Sequence, residues 1–128
     1  IIASNTSSLV IAELAGATQR ADRVCGLHFF NPVPLMPLVE IVRAVTTSDA
    51  TMQRVEACVR QVGKQPIFAK DRSGFVVNFL LVPYMLDAIR AFEHGVASIE
   101  DIDTGMRLGC GHPMGPFTLL DFVGLDTV

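Results

Sequence analysis

Between Arg23 and Val42, two apolar stretches are separated by Asn31-Pro32-Val33-Pro34-Leu35-Met36-Pro37, the feature that most restricts what this chain can fold into. Proline removes a ladder donor and fixes φ, so no strand or helix runs through such a segment. Arg23–Phe30 before it reads as a strand apolar on both faces, as in a sheet covered on two sides. Leu38–Val42 after it reads as a second strand, brought beside the first by the proline-rich connection.

The flanking sequence extends this pattern. Ile1-Ile2-Ala3 reads as the end of a buried strand, followed by a polar turn and a short helix over Leu9–Gly16. Ser and Thr in Ser4–Ser8 suit the cap of that helix, and Gly16 suits a left-handed residue beyond its end. Ser48-Asp49 caps a further helix whose apolar stripe is Met52, Val55, Val59 and Val62, with Gly63 as terminator. Gln65–Lys70 is a short strand, and Asp71-Arg72-Ser73-Gly74 a linker. Beyond it the pattern turns all-helical. One helical stretch spans Phe75–His94, with Pro83 expected to kink or divide it. A second opens at Ser98 and runs to about Leu108; a Gly/Pro loop, 109–116, and an apolar helix, Phe117–Val123, follow. The expected architecture is α/β followed by all-α. Residues 1–71 form the C-terminal portion of one domain, and 72–128 the first part of a helical one.

Composition narrows the function classes. Half of the 128 residues are apolar and mean hydropathy is +0.43, which excludes a disordered segment. A net charge of −3 speaks against a nucleic-acid-binding face. No uncharged run free of breakers reaches the roughly 18–20 residues of a spanning helix. Cys25, Cys58 and Cys110 are odd in number and widely spaced. They fit neither a metal pattern nor a disulfide framework and favour a reducing compartment, cytoplasmic or, in a eukaryote, the mitochondrial matrix. The first and last residues carry no start or stop signal, so an interior part of a longer protein is expected.

Few residues could carry chemistry. His28 lies mid-strand between Leu27 and Phe29; Glu40 lies between Val39 and Ile41, with eleven residues between the two. Neighbouring strands are about 4.7–4.9 Å apart, so the two can hydrogen-bond if they face each other. A carboxylate on one ring nitrogen fixes the imidazole tautomer and leaves the other nitrogen for proton transfer. Taken alone, the spacing is more often the mark of a core or edge histidine and a solvent-facing glutamate than of a catalytic pair. Ser7 and Ser8 sit in no nucleophile elbow and read locally as helix caps, although at the carboxyl end of a strand, where open α/β sheets bind ligands. Asn78 is expected to be a buried polar group in need of partners within an apolar helical run, Asn31 a turn residue, and His94 and His112 structural. No metal-ligand cluster and no glycine-rich phosphate loop occurs.

Ser4-Asn5-Thr6-Ser7-Ser8-Leu9, Gly26-Leu27-His28-Phe29-Phe30-Asn31-Pro32-Val33-Pro34, Leu38-Val39-Glu40, Gly74-Phe75-x-x-Asn78, Leu81-Val82-Pro83-Tyr84, Glu100-Asp101-Ile102-Asp103 and His112-Pro113-Met114-Gly115-Pro116-Phe117 closely resemble the 3-hydroxyacyl-CoA dehydrogenases, in order and over essentially the whole chain. Those acting on 3-hydroxybutyryl-CoA are the nearest subtype. The resemblance implies the end of a Rossmann-type NAD-binding domain and the start of a helical domain through which a homodimer forms. It implies an oxidoreductase interconverting (S)-3-hydroxyacyl-CoA and 3-oxoacyl-CoA with NAD, without nucleic-acid or membrane partners. His28 would be the general base and Glu40 its orienting partner. Ser7 and Asn78 would hydrogen-bond the reacting oxygen, and Asn5, Ser7 and Asn31 would line the nicotinamide end of the pocket.

Two departures stand out. The G-x-G-x-x-G fingerprint is absent from these 128 residues, so the chain by itself is expected to hold NAD poorly and to be inactive. Phe79 stands where many relatives carry Arg. Two other readings are a non-catalytic helical dimerisation module, and a hydrolase built on Ser7, His28 and Glu40.

Overall fold

Period-2 alternation decides how the strands bury their side chains, and a computed structural model, which describes residues 1–126, shows the result. Strands β1 (Ile2–Ser4), β2 (Val24–Phe29), β3 (Leu38–Arg43) and β4 (Gln65–Lys70) form one sheet in the order β1-β2-β3-β4. The β1/β2 and β3/β4 pairs are parallel, and β2/β3 is antiparallel. Helices α1 (Ile11–Gly16) and α2 (Asp49–Gln61) pack on opposite faces. Val24 and Val42 face α1 with Ile11, Ala15 and Phe75; Cys25, Val39 and Ile41 face α2 with Met52, Val55 and Val59. Alternation then places Gly26, His28 and Glu40 on the α1 face.

Gly26 sets how closely α1 approaches. A Cβ there would lie 2.6 Å from Val42 Cβ and 3.1 Å from Ile11 Cδ1, and Val42 Cβ is tied to a strand backbone that cannot yield cheaply. Gly26→Ala is therefore expected to destabilise the chain by about 1–3 kcal/mol through overpacking. Urea unfolding monitored by circular dichroism measures this, and an unchanged midpoint would contradict it.

Several local expectations need correction. β1 forms, but Ile1 and Ile2 are exposed, because β1 is the outermost strand of the described sheet. α1 begins two residues later than expected, and its N-cap, Val10, supplies no side-chain acceptor. Gly16 is the last helical residue and is not left-handed; Ala17 closes the helix in the right-handed region. In α2, Ser48 Oγ accepts from Thr51 N as its position suggests, but Val62 lies past the helix end and is exposed.

The chain divides into two compact units, Ile1–Val77 and the stretch from Asn78 onward. The second unit consists of α3 (Val77–Glu93), which begins at the last residue of the first, α4 (Ile99–Gly109) and α5 (Pro116–Val123). α3 runs unbroken through Pro83. An interior proline costs about 3 kcal/mol, and tertiary packing, with Met85 and Ala88 buried on the same helix, overrides it.

α4 and α5 are joined by one carboxylate. Asp103 of α4 accepts from the amides of Phe117 (2.7 Å) and Thr118 (2.9 Å) and from the Thr118 hydroxyl (2.6 Å), capping a helix whose own N-cap residue, Gly115, has no side chain. A Cβ on Gly115 would fall on Asp103 Cα and Cγ, so the glycine admits the cap. Burial pushes the Asp103 carboxyl up, but the Thr118 hydroxyl, the two amides and Arg107 outweigh it and hold it below the ordinary aspartate value. A lowered native value stabilises the fold above the unfolded aspartate value of about 3.9, and that stability is lost as pH falls through the native value. Asp103→Asn should therefore unfold at lower temperature than the wild type at neutral pH, with the gap closing below about pH 4. Thermal melts across that range test it; a pH-independent gap would exclude the carboxylate as its source.

Candidate active site

His28 and Glu40 are directly opposed in the β2/β3 register. Their side chains meet at 3.0 Å between Nδ1 and Oε1, with His28 4% and Glu40 0% exposed. Burying a carboxylate is costly unless its lone pairs are satisfied. Here the second oxygen, Oε2, accepts from Val76 N at 2.8 Å and more loosely from Val77 N at 3.4 Å. Among the described residues no buried side-chain N or O lacks a partner.

This arrangement determines the tautomer. Oε2 is taken by backbone N–H donors, and as a carboxylate Glu40 can only accept at Oε1, so Nδ1 is the nitrogen that carries the ring proton. Nε2 is left with its lone pair, 2.9 Å from Ser7 Oγ, which donates to it. The rings of Phe30 and Phe75 stand 4.7 and 5.5 Å from the imidazole and give it apolar walls. Phe75 is the one non-glycine residue described at positive φ (48°), next to Gly74 at 82°. This turn brings the Val76 and Val77 amides back to Glu40.

Ser7 lies in the loop between β1 and α1, at the carboxyl end of a strand parallel to β2. The loop is tied at its start, where Asn5 Oδ1 accepts from Phe29 N (2.9 Å). In its middle Thr6 Oγ1 accepts from Leu9 N (3.0 Å). At its end Asp71 Oδ1 and Oδ2 accept from Ile11 N and Ala12 N, each at 2.7 Å. The capping role expected of Ser7 and Ser8 thus falls to Asp71, 60 residues from Ile11, and this frees the Ser7 hydroxyl for His28. Local reading missed Asp71, which lies in what looks like a plain linker, and Phe75 and the Val76 amide, which look like the start of a helix. The only local signal was Gly74, the glycine required by a left-handed turn.

Asn31 is exposed, two residues past the end of β2, before a cis bond to Pro32. Lys64 Nζ pins its loop by donating to Val33 O (2.6 Å) and Met36 O (2.7 Å). Asn78 is the first residue of the second unit, near the start of α3. There His112 Nδ1 pairs with the Tyr84 hydroxyl at 3.3 Å. The three cysteines are free, Cys25 buried and the others exposed. No helix among the described residues is long and apolar enough to cross a membrane.

A sheet covered on both faces, with polar side chains gathered where parallel β1 and β2 end, has the form of a nucleotide-dependent α/β enzyme domain, here followed by a helical unit. Residues 1–72 match the family model described as 3-hydroxyacyl-CoA dehydrogenase, NAD binding domain, and residues 74–128 the one described as 3-hydroxyacyl-CoA dehydrogenase, C-terminal domain. The chain belongs to the 3-hydroxyacyl-CoA dehydrogenase family, whose fold is a Rossmann-like NAD-binding domain followed by a helical domain.

It is 60% identical over 127 residues to the mitochondrial hydroxyacyl-coenzyme A dehydrogenase of Sus scrofa, covering 99% of this chain and 40% of that protein. It is 55% identical over 129 residues to a 3-hydroxybutyryl-CoA dehydrogenase of Mycobacterium tuberculosis, covering 100% and 45%. The crystal structure of (S)-3-hydroxybutyryl-CoA dehydrogenase from Ralstonia eutropha superposes with a TM-score of 0.96 at 56% identity, covering 99% of this chain and 45% of that one. The chain thus spans less than half the length of these relatives.

Proposed function

We propose that this chain carries the proton-transfer centre of an NAD-dependent (S)-3-hydroxyacyl-CoA dehydrogenase, acting on 3-hydroxybutyryl-CoA or similar short substrates. The observation that carries the reading is the hydrogen-bond chain Ser7 Oγ–His28 Nε2, His28 Nδ1–Glu40 Oε1, with a bare imidazole nitrogen at the end nearer the loop. In the oxidative direction the C3 hydroxyl of the substrate gives its proton to Nε2 while the C3–H bond breaks with its electron pair. His28 becomes an imidazolium, and its hydrogen bond to the adjacent Glu40 carboxylate becomes an ion pair. In reduction, protonated Nε2 returns that proton to the developing alkoxide. Ser7 holds the reacting oxygen beside Nε2. Asn78 is assigned a second hydrogen bond to it.

NAD, when bound, supplies the hydride acceptor. The donor set fits its nicotinamide end. Asn5 spends its side-chain oxygen on Phe29 N and keeps its NH2 group for an acceptor such as a carboxamide oxygen, while Ser7 and Asn31 are assigned to the same end. The pyrophosphate is a different matter, since no G-x-G-x-x-G lies in these residues and the chain alone is assigned weak affinity. Residues 1–71 are read as part of the NAD-binding domain. Residues 72–128 are read as part of a helical domain that pairs two copies, supported by exposed Leu80, Leu108 and Phe122. A reducing compartment is proposed, mitochondrial in a eukaryote.

One observation favours a second reading. Ser7, His28 and Glu40 line up as in a Ser-His-acid hydrolase, at 2.9 and 3.0 Å. A chimera separates the two: this chain replaces the matching stretch of the Sus scrofa enzyme. Given (S)-3-hydroxybutyryl-CoA and NAD, it should form NADH without releasing free CoA thiol. Thiol release without NADH would overturn the dehydrogenase in favour of the hydrolase.

A further inference from the structure

We propose that Asp71 is a positioning residue for the reaction, acting through Ser7; the inference rests on the dehydrogenase reading above. α1 has only six residues and no cap of its own, so nothing local fixes where it starts. Asp71, just past the end of β4, supplies both acceptors, at 2.7 Å to Ile11 N and 2.7 Å to Ala12 N. Between this clamp and the Asn5–Phe29 bond stand only Thr6 to Val10, with Ser7 among them. A loop this short, held at both ends, leaves its hydroxyl little choice of place. Ser7 Oγ is thereby kept 2.9 Å from His28 Nε2, although the serine itself is exposed and makes no core contact that would hold it there.

The residues after Asp71 reinforce the point. Phe75 packs its ring edge-on to His28 at 5.5 Å, and Val76 N donates to Glu40 Oε2 at 2.8 Å. The stretch from 71 to 76 therefore holds the Ser7 loop with its first residue, the imidazole with its fifth and the carboxylate with its sixth. Asp71 is the member of this strap that holds the Ser7 loop, and it does so through its side chain, so a single substitution isolates it. Asparagine keeps one acceptor but turns an NH2 group toward the second amide; alanine removes both acceptors.

The test is a double-mutant cycle in the chimera, with kcat and KM for (S)-3-hydroxybutyryl-CoA measured well below each variant's melting temperature. Asp71→Asn should lower kcat roughly ten- to hundredfold, as expected for a reacting group displaced by about an ångström, with KM little changed. In a Ser7→Ala background the same substitution should cost about twofold or less, because the group it positions is gone. Asp71→Ala should exceed Asp71→Asn; if it does not fold, Asp71→Asn carries the cycle alone. Equal losses in both backgrounds, or an unchanged kcat, would overturn the proposal, since a purely structural cap acts regardless of Ser7. Ser7→Ala alone tests the underlying reading separately: a wild-type kcat there removes Ser7 from the mechanism, whatever Asp71 does.

Discussion

His28→Gln in the chimera is expected to lower kcat for (S)-3-hydroxybutyryl-CoA oxidation by about 10²–10⁴-fold, the usual contribution of a positioned general base. Glutamine is close in size and can still donate to Glu40, so the pocket between Phe30 and Phe75 stays filled. What it lacks is a nitrogen that takes and returns a proton. Because His28 is only 4% exposed, bulk water cannot readily substitute for it. KM should move far less than kcat, since the interaction lost is one made as the proton is transferred. Steady-state rates with stability checked by thermal melts measure this; turnover within a few-fold of wild type would remove His28 as the base.

Glu40→Gln should be as costly to turnover and costlier to the fold. Glu40 is fully buried and receives Nδ1–H at one oxygen and two backbone amides at the other. Glutamine offers one acceptor oxygen, so either the imidazole or the start of α3 meets an NH2 group donor to donor. A buried donor left unpaired costs about 1–3 kcal/mol. If the carboxamide turns its NH2 group to His28, the ring must present a lone pair at Nδ1, and its proton moves to Nε2. The base is then in the wrong tautomer and has no anion to stabilise its charged form. In a Ser-His-Asp relay such a swap costs about 10⁴ in kcat, and a loss of 10² or more is expected here. A variant with normal turnover would mean that Glu40 only caps the helix.

Much of the fold was legible because its signals are local and periodic. The prolines at 32, 34 and 37 break the chain where β2 ends and β3 has yet to begin. Ser48 and Ser98 sit where they cap α2 and α4. The contact between His28 and Glu40 was open to local reasoning, two strands in sequence with a costly carboxylate near a histidine, but only the β2/β3 register decides it. The misreadings share one cause. Ser7 and Ser8 look like caps because hydroxyls before a helix usually are, yet the competing acceptor, Asp71, is distant in sequence and visible only once β4 is laid beside β3. Pro83 is expected from local rules to kink or divide its helical stretch; the helix is not divided there, and α3 continues through it. Phe75 offers no sequence sign that it adopts positive φ; only Gly74 before it marks a turn.

The most direct test of the relay is the protonation state of the His28 ring, read by ¹⁵N NMR on the chain labelled at histidine. The account requires the neutral ring to be the Nδ1–H tautomer, with a bare Nε2 signal that loses its dominance in Glu40→Gln. A neutral His28 protonated at Nε2 in the wild type would contradict it, because no lone pair would then face Ser7.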